Sequence, residues 1–226
     1  MIAKPIATIS QILPKIPFWA NLSPEEKAIV SQRALTKHFN KDQIASSNSS
    51  ACLGIILILK GGVRISLISD EGREITLYRA HANEFCVSTA SCVIHQLTFE
   101  TIVTAEEDTT VLVIPSSITS RLMEMNIYVR SFVFEQETER YSQTIWAIQQ
   151  MLFKKFDQRL AAYFIDAYQS TGKPEIKKTQ EEIARDVNSA REVVARMLKD
   201  FAAKGFVEIK RGRILLRNID GLKKIL

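Results

Sequence analysis

Residues 118 to 153 hold neither glycine nor proline, the two residues that interrupt helices. Val129, Phe132, Val133, Ile145, Ile148 and Leu152 recur there at helical spacing. A helix of that length cannot bury both ends inside a small domain, so it is expected to meet its own copy in a second subunit. The competing arrangement is a single helix laid along a neighbouring β-domain. On either arrangement the chain of 226 residues falls into three parts, residues 1–117, 118–153 and 154–226.

The first part reads as strands. "IILILKGGVRISLISDEGREITLYR" alternates apolar and polar residues around a Gly61-Gly62 break and an Asp70-Glu71-Gly72 turn. "FETIVTAEEDTTVLVIP" repeats the style and ends at Pro115. Short antiparallel strands at this spacing suggest a small β-roll or barrel. Ahead of them, in "NLSPEEKAIV", Ser23 caps a helix with Pro24 at its first position and Glu25 and Glu26 in its first turn. The run "LGIILIL" at 53–59 is too short to span a membrane and suits a buried strand. Prolines near the amino terminus break the apolar core a signal peptide needs, so the expected location is the cytoplasm, with no membrane partner.

The third part carries the charge. The formal net charge is +5, yet residues 172–226 hold 14 Lys and Arg against 8 Asp and Glu, while residues 1–171 hold 16 against 17. Such asymmetry points to a polyanion partner for the carboxy-terminal quarter. The turn chemistry of "STGKPE", residues 170 to 175, is expected to mark a domain boundary ahead of it. Thr179 can then cap the helix of "TQEEIARDV", with Glu181 and Glu182 in its first turn, and Asn188 tolerates the left-handed conformation of a tight turn. In "NSAREVVARMLKDF" the residues Val194, Met197, Leu198 and Phe201 form one buried stripe. Two short helices joined in this way make a helix-turn-helix, and "GFVEIKRGRILLRN" adds a hairpin wing with Lys210, Arg211 and Arg213 at its bend.

Opposite the buried stripe, Arg191, Glu192, Arg196 and Lys199 point outward. In a helix-turn-helix the second helix enters the major groove, where arginine can donate two bonds to guanine and glutamate can accept from cytosine. A purely structural use would pair Glu192 with Arg196 across one turn, worth a few tenths of a kcal/mol.

Other chemistry is sparse. Cys52, Cys86 and Cys92 are the three cysteines; with no CxxC pair they make neither a disulfide framework nor a zinc site. His38, His81 and His95 lack metal spacing. The chain lacks HExxH, GxGxxG, a P-loop and GxSxG, so no enzymatic activity is expected.

The stretch "TQEEIARDVNSAREVVARMLKDFAAKGFVEIKRGRI" resembles the DNA-binding domain of the Crp/Fnr superfamily of bacterial transcription regulators. Upstream, "LSPEE", "LKGGVRISLISDEGREITLYR" and "FDQRLAAYF" follow in that family's order. The resemblance implies an α+β chain: a double-stranded, cupin-like β-roll that receives a signal, a dimerisation helix, and a winged helix-turn-helix. It implies that Arg191, Glu192 and Arg196 read bases and that Thr179, Gln180 and Ser189 hold phosphate, with Lys199, Lys210 and Arg211 adding charge. Ala190 stands where some relatives have a phosphate-binding serine. The implied partners are double-stranded DNA with a palindromic site, a second copy of the chain, and RNA polymerase. A signal-sensing dimer that acts through protein partners is the alternative.

For the signal, the resemblance argues against cyclic AMP. Val87-Ser88 stands where nucleotide-binding relatives carry Gly-Glu, and Phe99-Glu100 where they carry the phosphate-neutralising Arg-Ser. An iron–sulfur cluster is not expected, since no cysteine precedes Cys52. "FCVSTASC" is similar to the segment that holds the proximal heme ligands in carbon-monoxide-sensing members. Cys86 matches the thiolate, Ser88 replaces the expected histidine, and Cys92 lies one place beyond its counterpart. Heme is therefore one expectation, with His81 as a further candidate ligand and Thr144, Ile145 and Trp146 as an apolar stretch beside it. A redox pair of Cys86 and Cys92 is a second, and two small buried residues a third.

Overall fold

A computed structural model describes residues 8–47, 53–69, 74–87 and 101–226. The chain divides into two compact units, Met1–Arg73 with Leu77–Thr144, and Glu74–Thr76 with Ile145–Leu226.

The first unit opens with helix α1 (Ile9–Ile12), two short 3-10 turns and helix α2 (Pro24–Arg33). At α2 the expected cap forms: the Ser23 hydroxyl accepts from Glu26 N at 3.2 Å while the Glu26 carboxylate accepts from Ser23 N at 2.7 Å. Eight strands follow: β1 (Leu35–Phe39), β2 (Ile44–Ser47), β3 (Ile55–Lys60), β4 (Gly62–Ile68), β5 (Glu74–His81), β6 (Phe85–Val87), β7 (Thr101–Ala105) and β8 (Thr109–Ile114). They form two four-stranded sheets, ordered β1-β8-β3-β6 and β2-β7-β4-β5. The β-roll read from the strand spacing is thus present. The Asp70-Glu71-Gly72 turn lies outside the described residues.

The uninterrupted apolar run in β3 has a direct cause. Along β3 and β8 the side chains alternate between two cores: Ile56, Ile58, Val111 and Val113 join Val63, Ile65 and Val103 of the other sheet. Ile55, Leu112 and Ile114 join Leu13, Phe18, Val30 and Leu122 of the surrounding helices and turns. Both faces of β3 are covered from Ile55 to Ile58, so that run is apolar. Between β3 and β4, Gly61 has φ +83°, and a Cβ there would stand 2.5 Å from Thr109 Oγ1.

The segment without glycine or proline is not one helix. Helix α3 (Ser116–Met125) and helix α4 (Ile127–Phe153) meet at Asn126, whose backbone is extended. The Asn126 Oδ1 accepts from Tyr128 N at 3.0 Å and Val129 N at 3.3 Å, capping α4. Its Nδ2 donates to Glu26 Oε2 at 2.9 Å and to Asn21 O at 3.1 Å. A buried amide held from both sides supplies the break.

Helix α4 also has two apolar stripes. Val129, Phe132 and Val133 are buried in the helix-side core of the first unit. Ile145, Ile148 and Leu152 are not; with Ile127, Phe134 and Tyr141 they form an exposed row along the same helix.

The second unit holds helix α5 (Phe156–Thr171), strand β9 (Glu175–Ile176), helix α6 (Gln180–Asp186), helix α7 (Arg191–Ala203), strands β10 (Val207–Lys210) and β11 (Arg213–Leu216), and helix α8 (Ile219–Lys223). Its sheet runs β10-β11-β9. Strand β9, absent from the sequence expectation, is only two residues long, too short to show a period. Gly172 closes α5 in the left-handed conformation, φ +66°, so the "STGKPE" turn lies within this unit, not at its edge. The core gathers Leu160, Phe164, Ile183, Val194, Leu198, Phe201, Ile214 and Leu222. Among the described residues, no helix is long and apolar enough to cross a membrane.

Candidate nucleic-acid interface

The helix-turn-helix is built as its residues dictate. Thr179 caps α6: its hydroxyl accepts from Glu182 N at 3.2 Å, and the Glu182 carboxylate accepts from Thr179 N at 2.8 Å and from the hydroxyl at 2.9 Å. Asn188 takes the left-handed conformation at φ +51°, as the turn requires. Its side-chain amide accepts from Thr76 N at 2.8 Å and donates to Thr76 O at 3.0 Å, Thr76 grouping with this unit. Val194, Leu198 and Phe201 are buried and Met197 packs against them, which fixes the roll of α7 about its axis.

With that roll fixed, Arg191, Glu192, Arg196 and Lys199 are exposed. None of the four makes an ion pair among the described residues, so the Glu192 to Arg196 surface pair is not formed. Other cations of the unit are engaged. Lys178 Nζ lies 2.6 Å from Asp186, Lys204 2.8 Å from Asp200, and Arg213 2.7 Å from Glu175. On the wing, Glu208 accepts from Arg217 and from Lys210, the latter at 3.1 Å, and these bonds hold its carboxyl below the usual range. Arg211, at the bend beside Gly212 (φ +70°), stays free like the α7 row.

An open concavity of about 600 Å³ brings these parts together. It is lined by Thr179, Gln180 and Glu181 at the start of α6, Arg191 at the start of α7, and Lys210, Arg211 and Gly212 of the wing. Arg196 and Lys199 lie one and two turns further along α7, outside it. The phosphate contact expected of Thr179 meets a competing use, since its hydroxyl both accepts and donates within the cap. Ser189 is half-buried in the turn, and Ala190, the N-cap of α7, offers no side-chain bond to the helix's first N–H groups. Ala190→Ser is accordingly expected to stabilise this unit by about 0.5–2 kcal/mol. A denaturant midpoint left unmoved would show that the free N–H groups have no need of a cap.

Sequence reading missed the supports behind this surface. Tyr163 of α5 donates to Asp186 Oδ2 at 2.7 Å, on the carboxylate that also holds Lys178. Arg159 Nη1 donates to Val187 O at 3.1 Å, tying α5 to the end of α6. The run "FDQRLAAYF" contained both Arg159 and Tyr163, but their partners are distant in sequence.

The sensor candidates separate. Cys86 is buried on β6, opposite Ile56, and burial pushes its thiol up to about 11. His81, at the end of β5, is exposed. Thr144 is occupied in a bond from its hydroxyl to Arg140 O at 2.8 Å, and Ile145 and Trp146 are exposed. Ser88 and Cys92 lie outside the described residues, as do Cys52 and His95. A heme thiolate must face its ligand, whereas Cys86 is buried in the β-roll core with Ile56, Ile58 and Val113. The described residues do not fit that group, and the same burial opposes a reactive redox thiol.

A β-roll followed by a long helix, and a winged helix-turn-helix with a free basic row on its second helix, define a DNA-binding transcriptional regulator. Residues 158–225 match the Crp-like helix-turn-helix domain. The structure is similar to that of a Crp/Fnr-family protein of Eubacterium rectale ATCC 33656, with TM-score 0.87 and 33% identity over 94% of this chain and 98% of the other. The chain belongs to the Crp/Fnr family, a family of transcriptional regulators and not of enzymes. It is also similar to the transcriptional regulator SdrP of Thermus thermophilus, 22% identical over 174 residues, or 74% of this chain and 81% of that one. In fold it is similar to the c-di-GMP responsive global regulator CLP of Xanthomonas campestris, with TM-score 0.70 and 17% identity over 86% of this chain and 99% of that one.

Proposed function

We propose that this chain is a homodimeric, sequence-specific regulator whose two α7 helices enter successive major grooves of a palindromic site. The half-sites would then lie about 34 Å apart, one turn of B-DNA. The observation that carries this reading is the free row of Arg191, Glu192 and Arg196 on a helix whose roll is fixed by buried Val194, Leu198 and Phe201. Cations that merely solubilise a surface settle against nearby acids, as at least seven others in this unit do. These do not, though Glu192 is one turn from Arg196. The exposed row on α4 supplies the contact between copies, the β-roll unit receives the signal, and RNA polymerase is the partner through which the bound dimer acts.

Arg191→Ala and Arg196→Ala are each expected to cost about 1–3 kcal/mol on the preferred duplex and to relax the choice at one base pair. Arg211→Ala, on the wing, weakens all duplexes alike and lowers the salt slope by about 1. Fluorescence anisotropy on a duplex library at several salt concentrations separates the two behaviours. Unchanged preference in both α7 variants would remove the base-reading role, and failure to bind any duplex at low salt would favour action through protein partners.

A further inference from the structure

Two residues beside the turn of the helix-turn-helix are unfavourable choices on stability grounds alone. Asn188 holds a left-handed backbone, φ +51°, which glycine adopts without strain. What the asparagine adds is its amide, and both ends of it are engaged. Oδ1 accepts from Thr76 N at 2.8 Å and Nδ2 donates to Thr76 O at 3.0 Å, with Thr76 grouped in the same unit. The Thr76 hydroxyl also donates to Arg185 O, on the last turn of α6, at 3.3 Å. Arg159 holds the residue before Asn188: its Nη1 donates to Val187 O at 3.1 Å, while its Nε is buried with no hydrogen-bond partner among the described residues. The guanidinium lies 5.4 Å from the ring centre of Phe156, and burial keeps its pKa below the usual arginine value. A part-buried cation whose bond is to a neutral carbonyl adds little to stability.

These bonds fall where α7 is least supported from within. Val194 is its first buried residue, so Arg191 and Glu192 stand in a first turn with no core contact of their own. Ala190, ahead of them, offers no side-chain bond to the helix's first N–H groups. The backbone that carries Arg191 and Glu192 is therefore placed by the turn at residues 187–190. We propose that Asn188 and Arg159 are positioning residues for base recognition: by pinning this turn they set where the Arg191 guanidinium meets its base pair. The proposal rests on the base-reading role of Arg191. A bidentate contact needs two parallel bonds aligned at once, so a small shift of the turn removes discrimination. Phosphate contacts carry no sequence information and persist through such a shift.

The full chain carrying Asn188→Gly, Arg159→Met or Arg191→Ala, and the two doubles that add Arg191→Ala to each of the others, is titrated by fluorescence anisotropy. The duplexes are the preferred one and one altered at the base pair that Arg191→Ala relaxes. Asn188→Gly and Arg159→Met should each lower the affinity ratio of the two duplexes by at least about 5-fold. Affinity for an unrelated duplex at low salt should stay within about 2-fold, with the salt slope unchanged. In the doubles the ratio should be no lower than in Arg191→Ala alone, because residues acting through one contact do not add. A merely structural role would add its loss to that of Arg191→Ala and would speed hydrogen exchange at the α7 amides, which here should stay within about 10-fold of the natural chain. Asn188→Gly keeps the left-handed backbone, so it folds even where Arg159→Met folds poorly, and Arg159→Lys, which retains a donor, should recover part of the ratio. An unchanged ratio in Asn188→Gly or in folded Arg159→Met, or additive losses in the doubles, overturns the proposal and leaves the base-reading role standing. An unchanged ratio in Arg191→Ala removes the base-reading role, and the proposal with it.

Discussion

With Ile148 and Leu152 both replaced by glutamate, the chain is expected to sediment as a monomer and to lose at least about 100-fold in affinity for a duplex carrying two half-sites. The exposed positions of α4, Ile127, Ser131, Phe134, Thr138, Tyr141, Ile145, Ile148 and Leu152, step alternately by four and three residues. That is the seam of a two-stranded coiled coil. Six of the eight are large apolar side chains, between 36% and 71% exposed. Two glutamates per helix would place four carboxylates in one seam, where desolvation and mutual repulsion oppose pairing. Since Ile148 and Leu152 belong to none of the three buried cores, the substitution leaves each protomer folded. Affinity for a duplex with a single half-site should accordingly stay the same, and the salt slope on the full site should fall by about half. A double variant that still sediments as a dimer would mean that copies meet through another surface.

The same helix shows where sequence reading reaches its limit. Periodicity gives the spacing of apolar residues but not what each row faces. Val129, Phe132 and Val133 satisfy the helical spacing as well as Ile145, Ile148 and Leu152 do, yet the first three are buried in the protomer and the last three are exposed, from 36% to 71%. The break at Asn126 was equally hidden, because its cause is a pair of bonds to Glu26 and Asn21, about a hundred residues away. Arg140 reads as a polar surface position in the sequence; its burial depends on Tyr78 and on the Phe85 carbonyl, which only the fold brings near. A signal was there in principle, since Arg140 stands seven residues beyond buried Val133 and so continues its face.

The helix-turn-helix was legible because its determinants are local. The Thr179 cap, the left-handed Asn188 and the stripe of α7 all act within a few turns of one another. The free state of Arg191, Glu192 and Arg196 was not legible, since Glu192 and Arg196 have the spacing of an ion pair and only the structure leaves them apart. For the β-roll, alternation gave strands, but which strand neighbours which, β8 between β1 and β3, depends on closure of the whole roll.

Phe201→Ala carries the other large effect, an expected loss of about 3–5 kcal/mol in the stability of the second unit. Phe201 is 1% exposed and meets Phe206 edge to face at 6.0 Å. Its ring closes the last turn of the stripe that begins at Val194, so its removal leaves a cavity beneath α7 that neighbouring side chains fill only in part. A domain of this size has a total stability of about 5–15 kcal/mol, so the variant sits close to unfolding. Because the chain has two units, a single unfolding midpoint would mix their transitions; hydrogen exchange at the amides of α7 reports the affected one directly. Those amides should exchange at least about 100-fold faster, while amides of β3 and β8 in the first unit keep their rates. Phe201→Leu, which refills most of the space, should recover more than half of the loss. Protection on α7 that survives Phe201→Ala would mean that the roll of the helix, and with it the outward aim of Arg191 and Arg196, is set by Val194 and Leu198 alone.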